Sequence, residues 1–124
     1  MKDLLIKSNL SVKEALRKLT KEGEKCLVVV DKENKLLGTL SDGDVRNAIL
    51  KGAYHKDKIN KFYQTKSTFL IAGDYSLSQA KNIFTKKRID VIPIVEKSKK
   101  VVDILTFENL FNKNNTPVII KTIQ

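Results

Sequence analysis

The sequence predicts an α/β (α+β) fold in which one strand–helix–strand–strand–helix unit occurs twice. The second half repeats the first half 65 residues later without a gap, so that Leu5 and Ile6 return as Leu70 and Ile71. Each half also contains a helical stripe of apolar residues and a β-branched run typical of a buried strand. Such a repeat is too long for a solenoid unit and has the size of one small βα module. We expect the two tandem β-α-β-β-α repeats to pack as a pseudo-twofold pair with a binding cleft between them.

The first repeat carries clear signals for the start and the end of a helix. Ser11 and Glu14 have the spacing of a capping box, in which each side chain bonds the backbone N–H of the other residue. Gly23 is placed to end this helix, because glycine readily adopts the left-handed conformation found there. The predicted strands of this repeat cover residues 4–6, 26–30 and 35–40, and its second helix runs from about Asp44 to Lys51.

The second repeat has the same signals with two changes. Ser76 and Gln79 have the capping-box spacing, with glutamine in place of glutamate. Pro93 stands inside the predicted buried strand and lacks a backbone N–H, so we expect this strand to pair on one side only near Pro93. The predicted strands of this repeat cover residues 89–95 and 101–105, and its last helix begins near Asn109.

The two repeats divide the chain into four parts. A polar, lysine-rich connector separates the repeats, and a Pro-containing linker in the tail precedes the β-prone residues 118–120. The predicted boundaries are residues 3–52 for the first repeat, 53–67 for the connector, 68–112 for the second repeat and 113–124 for the tail.

The composition of the 124 residues, with 41% hydrophobic and 31% charged, is that of a globular protein. No apolar run approaches the ~20 residues that span a bilayer, and the first residues lack the features of a secretory signal. Cys26 and His55 are the single cysteine and histidine, so we expect neither an intrachain disulfide nor a metal site built from these residues. These observations predict a cytoplasmic protein without a membrane partner.

The net charge of +10 is compatible with an anionic partner such as nucleic acid, nucleotide phosphates or an acidic surface. The basic residues are dispersed, however, and the longest groupings, at residues 86–88 and 97–100, lie in different parts of the repeat. No aromatic residues interleave them as a surface for single-stranded nucleic acid requires. A lysine-rich solvated surface therefore explains the charge better than nucleic-acid binding does.

Residues that can bind a ligand concentrate at residues 38–44, where a strand ends and a helix begins. Ser41 and Asp44 lie three residues apart around the helix start, so the hydroxyl and the carboxylate can both face the cleft. A carboxylate that accepts hydrogen bonds from vicinal hydroxyls is a common way to bind ribose, and N–H groups at a helix start can hold phosphate. The same spacing is an N-cap arrangement, in which Ser41 caps the helix and the helix dipole favours Asp44. The residues alone leave both interpretations open.

The repeat, the buried β-branched run and the Gly38-x-x-Ser41-x-x-Asp44 corner together resemble the cystathionine-β-synthase (CBS) domain. Two copies resemble the paired form of this domain, called a Bateman module, and the resemblance covers about residues 3–112. It implies a cleft between the repeats that binds an adenine nucleotide, such as AMP, ADP or ATP, or a related ligand. It also implies a homodimer and no required cofactor.

Matched residue by residue, the resemblance implies that Ser41 and Asp44 contact a ribose. At the second corner Thr106 keeps the hydroxyl, but Asn109 replaces the aspartate. Because an amide carries no charge, a second site there should bind ribose more weakly. The other residues that the resemblance places at the ligand are Lys25, Cys26 and Leu27 of the first repeat and Leu70, Ile71 and Gly73 of the second.

A finer resemblance concerns the enzyme that such a module controls. Residues 41–46, followed by 49–52, are similar to CBS pairs that precede bacterial sugar-phosphate nucleotidyltransferase domains, and sugar-phosphate isomerases carry a similar stretch. Residues 118–120 resemble the strand that leads into the transferase. The alternative is that these residues are a frayed tail with no connection to an enzyme domain.

Three functions from different classes remain open. The first is a regulatory module that binds a nucleotide and modulates an attached or partner enzyme. The second is a structural dimerisation module without a ligand, and the third, least supported, is nucleic-acid binding. We expect no catalytic residues, because the sequence offers no nucleophile–base pair: Cys26 lies in an apolar run and His55 in a polar connector. The sequence identifies neither the ligand nor the regulated enzyme.

Overall fold

A computed structural model describes residues 2–111 and 118–119, and both repeats have the predicted order of elements. The first repeat contains strands β1 (Lys2–Asp3) and β2 (Leu5–Lys7), helix α1 (Val12–Glu22), strands β3 (Cys26–Val30) and β4 (Leu36–Ser41), and helix α2 (Asp42–Leu50). The second contains strand β5 (Leu70–Ile71), helix α3 (Leu77–Lys86), strands β6 (Val91–Val95) and β7 (Val101–Thr106), and helix α4 (Phe107–Phe111). The mixed α+β fold predicted from the sequence is thereby confirmed.

Each repeat forms one three-stranded sheet with its longest buried strand at the centre. The strand orders are β2-β3-β4 and β5-β6-β7, with a parallel pair followed by an antiparallel hairpin. All residues of β3 and of β6 are buried, because each strand is covered on both faces. A bulge interrupts the hairpin between Val29 and Val30 and again between Ile94 and Val95, at the same position of both repeats.

The two repeats share one hydrophobic core. The larger buried cluster combines β2, α1, β3 and β4 with Val91, Val95, Val101 and Ile104 of the second repeat. A smaller cluster under α3 belongs to the second repeat alone. Because side chains of both repeats pack in the larger cluster, the repeats form one structural unit.

Pro93 stands at the centre of β6 and is paired on one side only. It lies opposite Ile104 of β7, whereas β5 pairs only with Ile94 and Val95. At the equivalent position of the first repeat, Val28 donates its N–H to the carbonyl of Leu4 at 2.8 Å. Proline has no N–H to donate there, so β5 begins where proline no longer interrupts the pairing.

The starts of α2 and α4 lie two residues before the predicted ones, at Asp42 and Phe107, because Ser41 and Thr106 are the N-cap residues. Ser11 and Glu14 form the complete capping box at the start of α1. Ser76 caps α3 by accepting from the backbone N–H of Gln79, but the glutamine side chain does not return the bond. The predicted capping box at Ser76 is therefore only half formed. None of the described helices is long and apolar enough to cross a membrane.

The connector packs on the first repeat. The backbone N–H of Val12 donates to the carbonyl of Asp57 at 2.8 Å, and that of Ile59 donates to the carbonyl of Leu10 at 2.9 Å. Ile59, at the start of a short 3₁₀ helix (Ile59–Lys61), is fully buried in the larger core. This contact gives the connector a defined path toward the strand-to-helix corner of the first repeat.

The tail contributes one described segment, strand β8 (Val118–Ile119), which pairs in parallel with β1. The sequence predicted a β-prone segment at residues 118–120, and Val118–Ile119 form this strand. The rest of the predicted linker and tail, residues 112–117 and 120–124, lies outside the described residues.

Candidate ligand-binding site

The start of α2 is built by a reciprocal pair of hydrogen bonds between Ser41 and Asp44. The backbone N–H of Asp44 donates to Ser41 Oγ at 3.0 Å, and the backbone N–H of Ser41 donates to Asp44 Oδ2 at 2.9 Å. This is a complete capping box, so the N-cap interpretation of the corner is confirmed. It also fixes the rotamer of Asp44, which presents its other carboxylate oxygen, Oδ1, away from the helix start.

Asp44 Oδ1 accepts a hydrogen bond from Gln64 of the connector at 3.2 Å between Oδ1 and Nε2. The backbone of Gln64 is held beside β4, because its N–H and carbonyl bond the carbonyl and N–H of Thr39 at 2.8 and 3.0 Å. Gly38 permits this approach, since a Cβ atom there would overlap the carbonyl oxygen of Gln64. Sequence reasoning missed Gln64, because no local signal near Gly38 indicates which distant segment approaches it.

A cleft of about 360 Å³ opens beside Asp44, between the two repeats. Its walls come from three parts of the chain: the corner of the first repeat, the end of the connector, and the segment that leads into β6. The lining residues are Cys26, Thr39, Ser41 and Asp44, then Gln64 and residues 66–68, and finally Arg88, Ile89, Asp90 and Val91. A second cleft of about 510 Å³ lies along α2 and shares Asp44 and Gln64 with the first.

Charges of both signs line the cleft between the repeats. Lys66 and Arg88 are exposed and basic, whereas Asp44 and Asp90 are acidic. Lys87 lies close by, because its Nζ donates to the hydroxyl of Thr68 at 3.1 Å. The basic grouping at residues 86–88 therefore ends in the cleft, next to a connector lysine that is distant in the sequence. This arrangement offers cations for an anionic group and carboxylates for hydroxyl or amino donors.

Cys26 forms part of the apolar wall of the cleft and is buried. Burial raises the pKa of the Cys26 thiol to about 12, and the nearby carboxylates of Asp90 and Asp44 add to the increase. The thiol is therefore protonated at neutral pH and serves as a small apolar group, which excludes it as a nucleophile there.

Several residues that the family resemblance placed at the ligand do not line this cleft. Lys25 is exposed, and its carbonyl accepts from the N–H of Asp42 at 2.9 Å, which helps to anchor the start of α2. Leu27 is fully buried in the core. Leu70 is buried in the smaller core cluster, whereas Ile71, at the end of β5, and Gly73, in the turn that follows, are exposed. The second repeat reaches the cleft through residues 88–91 instead, because the lead-in to β6 faces the corner of the first repeat.

The second corner repeats the N-cap geometry of the first. Thr106 is buried, and its Oγ1 accepts from the backbone N–H of Asn109 at 3.0 Å, as Ser41 does from Asp44. Beside this corner Lys2 Nζ lies 2.7 Å from Glu24 Oε2 and 3.7 Å from Glu108 Oε2. The hydrogen bond to Glu24 raises the pKa of Lys2 above its ordinary value. Within residues 2–111, no cluster of three or more His, Cys, Asp or Glu side chains is arranged to hold a metal ion.

The repeat geometry and the paired corners agree with the family comparison, in which the CBS domain matches residues 1–51 and 63–114. The chain belongs to the CBS domain family. Its sequence is 29% identical to inosine-5'-monophosphate dehydrogenase of Aquifex aeolicus over 90% of this chain and 22% of that protein. It is 25% identical to arabinose 5-phosphate isomerase GutQ of Shigella flexneri over 82% of this chain and 31% of that protein. The chain thus spans less than a third of the length of these two curated relatives.

Solved CBS domain pairs have the same fold. The CBS-pair protein CBSX2 of Arabidopsis thaliana, in complex with AMP, has a TM-score of 0.73 at 22% identity, covering 86% of this chain and 82% of that one. The CBS domain pair of protein MJ0100, in complex with 5'-methylthioadenosine and S-adenosyl-L-methionine, has a TM-score of 0.73 at 24% identity, covering 89% and 86%. At these identities the likeness concerns the fold.

Proposed function

We propose that this CBS pair is a regulatory module that binds one adenine nucleotide, or a related adenosine ligand, in the cleft beside Asp44. The observation that carries the proposal is the meeting of Asp44, Lys66 and Arg88 in one cleft, although they come from the first repeat, the connector and the second repeat. A ribose needs a hydroxyl acceptor and a phosphate needs cations, and this cleft offers both.

Asp44 suits the ribose role because the capping box fixes its side chain. Its Oδ2 is occupied by the N–H of Ser41, whereas Oδ1 accepts from the partly solvated amide of Gln64. A pair of vicinal hydroxyls can replace the Gln64 amide without disturbing the helix cap. Ser41 contributes through its hydroxyl and by orienting Asp44.

Lys66 and Arg88 suit the phosphate, and Cys26 suits the edge of the base. Both cations are exposed, so a phosphate group can approach them without a large loss of hydration. The protonated Cys26 thiol and Val91 form an apolar wall against which a base can pack. The complexes of related folds with AMP and with 5'-methylthioadenosine support adenosine as the common element of the ligand.

Regulation would follow from the position of the ligand between the repeats. A ligand that contacts both repeats and the connector favours the arrangement in which those contacts form together. We propose that this population shift is transmitted to an enzyme, attached or separate. Both curated relatives described above carry enzyme names, and a sugar-phosphate nucleotidyltransferase is the specific enzyme that the resemblance of residues 41–52 suggests.

We further propose that the module acts as a cytoplasmic homodimer. The helices of the second repeat expose apolar side chains, with Leu77 at 61% and Phe107 at 50% exposure, and the rings of Phe107 and Phe111 stack with centroids 4.3 Å apart. Exposed aromatic pairs of this kind are frequent at protein interfaces. A cytoplasmic location is compatible with Cys26, because a free thiol persists in a reducing compartment.

Calorimetric titration with AMP, ADP, ATP and 5'-methylthioadenosine tests the proposal. We expect saturable binding by the wild type and loss of binding in Asp44→Asn, which keeps the helix cap but removes the charge that binds the hydroxyls. Asp42→Asn is the matched control, because Asp42 lies in the same turn and its carboxylate pairs with Arg46 at 3.2 Å. Equal affinity of the wild type and Asp44→Asn would remove the ribose role. A stable dimer that binds none of the four ligands would favour the structural dimerisation module.

A further inference from the structure

The 65-residue repeat relates the cleft beside Asp44 to an equivalent region beside Asn109, so their linings can be compared position by position. The strand residues are similar, because Cys26 exchanges with Val91 and Ser41 corresponds to Thr106. The rims differ strongly. Arg88, Ile89, Asp90 and Ser67 of the first lining correspond to Gly23, Glu24, Lys25 and Lys2 of the second region. Gly43, which lies in α2 next to the first corner, corresponds to Glu108.

These substitutions change where a ligand would meet each charge. The region beside Asn109 lacks the arginine of the first cleft and carries two carboxylates, Glu24 and Glu108, at positions that hold Ile89 and Gly43 in the other repeat. Carboxylates repel a phosphate group that approaches them. The equivalent set holds two lysines: Lys25, which takes the position of Asp90 and is exposed, and Lys2, which is engaged by both glutamates and so joins the equivalents of two walls of the first cleft.

The contacts of β1 hold Lys2 in this position. Lys2 Nζ lies 2.7 Å from Glu24, and only 19% of its side chain is exposed. The next residue, Asp3, donates its N–H to Glu22 Oε1 at 3.0 Å, and its carboxylate lies 3.1 Å from Lys18 Nζ. Both residues of β1 therefore form ion pairs with residues in α1 or directly after it. β1 also pairs with β8, so displacing Lys2 requires the loss of backbone pairing as well.

We propose that the ammonium group of Lys2 closes the region beside Asn109 by joining Glu24 and Glu108, so that one phosphate-bearing ligand binds per chain, at the cleft beside Asp44. The number of ligands rests on the proposed nucleotide-binding function, whereas the closure by Lys2 does not. The closure also explains how two acidic side chains are tolerated beside a corner whose counterpart has none at the same positions.

Amine labelling tests the closure without any ligand. Lys2 should react with an acylating reagent about tenfold more slowly than the exposed Lys21, because a charge-assisted hydrogen bond must break first. Glu24→Gln should remove most of this protection. Glu33→Gln, an exposed glutamate in the β3–β4 turn, is the control and should leave the Lys2 rate unchanged. A Lys2 that reacts as fast as Lys21 in the wild type would overturn the proposal.

Binding stoichiometry tests the consequence. Equilibrium dialysis with AMP should give one site per wild-type chain and two in the variant Lys2→Ser/Glu24→Ile/Glu108→Ala/Asn109→Asp. This variant keeps the exposed Lys25 as a cation for the phosphate, and its folding is checked by circular dichroism. Asn109→Asp alone should still give one site, since Lys2 and the glutamates remain. Two sites in the wild type, or a single site in the folded fourfold variant, would overturn the closure as the reason for single occupancy. If AMP binds to neither protein, the nucleotide proposal fails for AMP, and the labelling result still decides the closure.

Discussion

Lys35 lies opposite Lys100 in an antiparallel bridge, and the two lysines occupy the same position of the two repeats. On either side, the N–H of Leu36 donates to the carbonyl of Lys99 and the N–H of Val101 donates to the carbonyl of Asn34, both at 2.9 Å. Since each residue meets its own counterpart, the pseudo-twofold axis passes between the lysines. This backbone pairing fixes one end of the repeat interface, and the candidate ligand cleft lies at the opposite ends of β3 and β6.

Asn34 should be important for this pairing. It has a left-handed backbone with a φ of 65°, is buried, and accepts from Lys7 Nζ at 2.6 Å. We expect Asn34→Ala to lower the free energy of unfolding by about 2 kcal/mol, through backbone strain and the lost hydrogen bond. Urea denaturation measures this change.

Asn34→Gly separates the two causes, because glycine adopts the left-handed conformation without strain. It should cost about 1 kcal/mol less than Asn34→Ala. Lys32→Ala, in the exposed part of the same turn, should have little effect. Equal stability of the alanine and glycine variants at position 34 would show that the backbone conformation costs nothing.

Gly38 and Gly43 form a matched pair of glycines with opposite expectations. A Cβ at Gly38 would overlap the backbone of Gln64 and approach the Tyr63 ring to 2.8 Å, so Gly38→Ala should destabilise the protein by about 2 kcal/mol. A Cβ at Gly43, in α2, would meet only ordinary contacts at 3.6 and 3.7 Å. Gly43→Ala should therefore stabilise by about 0.5 kcal/mol. Thermal and urea unfolding measure both, and a Gly38→Ala variant as stable as the wild type would contradict the close approach of the connector.

Gln64 should compete with the ligand for Asp44. Its amide occupies Oδ1, which the proposed ribose hydroxyls need. Removing this exposed hydrogen bond in Gln64→Ala should therefore tighten the binding of AMP between about twofold and tenfold, as measured by calorimetry. Gln79→Ala, at an exposed position of α3, is the control and should bind like the wild type. Weaker binding by Gln64→Ala would instead identify the glutamine as a direct ligand contact.

Cys26 should be unreactive in the folded protein. The pKa of its thiol is raised from 9.0 to about 12, so the thiolate fraction at pH 8 is about a thousandfold smaller than in an unfolded chain. Alkylation with iodoacetamide, followed by mass spectrometry, should be slower by at least about that factor in buffer than in urea. Comparable rates in the two solvents would mean that the thiol is neither buried nor protonated.

Much of the fold could be predicted from the sequence because its signals are local. The helix starts at Ser11, Ser41 and Ser76 depend on hydroxyls that bond N–H groups three residues away, and the buried strands depend on continuous apolar runs. The exact repeat of 65 residues then fixed the order of elements in both halves. The half-formed capping box at Ser76 departs from the prediction, since the glutamine side chain remains exposed and does not return to the backbone.

Only the part of the candidate site that comes from a single helix start could be predicted from the sequence. Ser41 and Asp44 were identified because they share one helix start, and the structure brings both to the cleft. Arg88 and Gln64 were not identified, since their positions depend on the packing of a connector and a second repeat that lie 20 or more residues away. Leu70, Ile71 and Gly73 were carried over from a family pattern, whereas the lead-in to β6 faces the cleft in this chain.

The sequence by itself thus determined the duplication, the elements and the corner that can hold a ribose, because hydrogen bonds over three residues and apolar periodicity act within each segment. Only the tertiary structure decided which charges meet: Lys66 and Arg88 at one corner, and Lys2, Glu24 and Glu108 at the other. The physical reason is that Coulomb interactions depend on distance in space. Two repeats with the same local pattern therefore place different charges beside their corners.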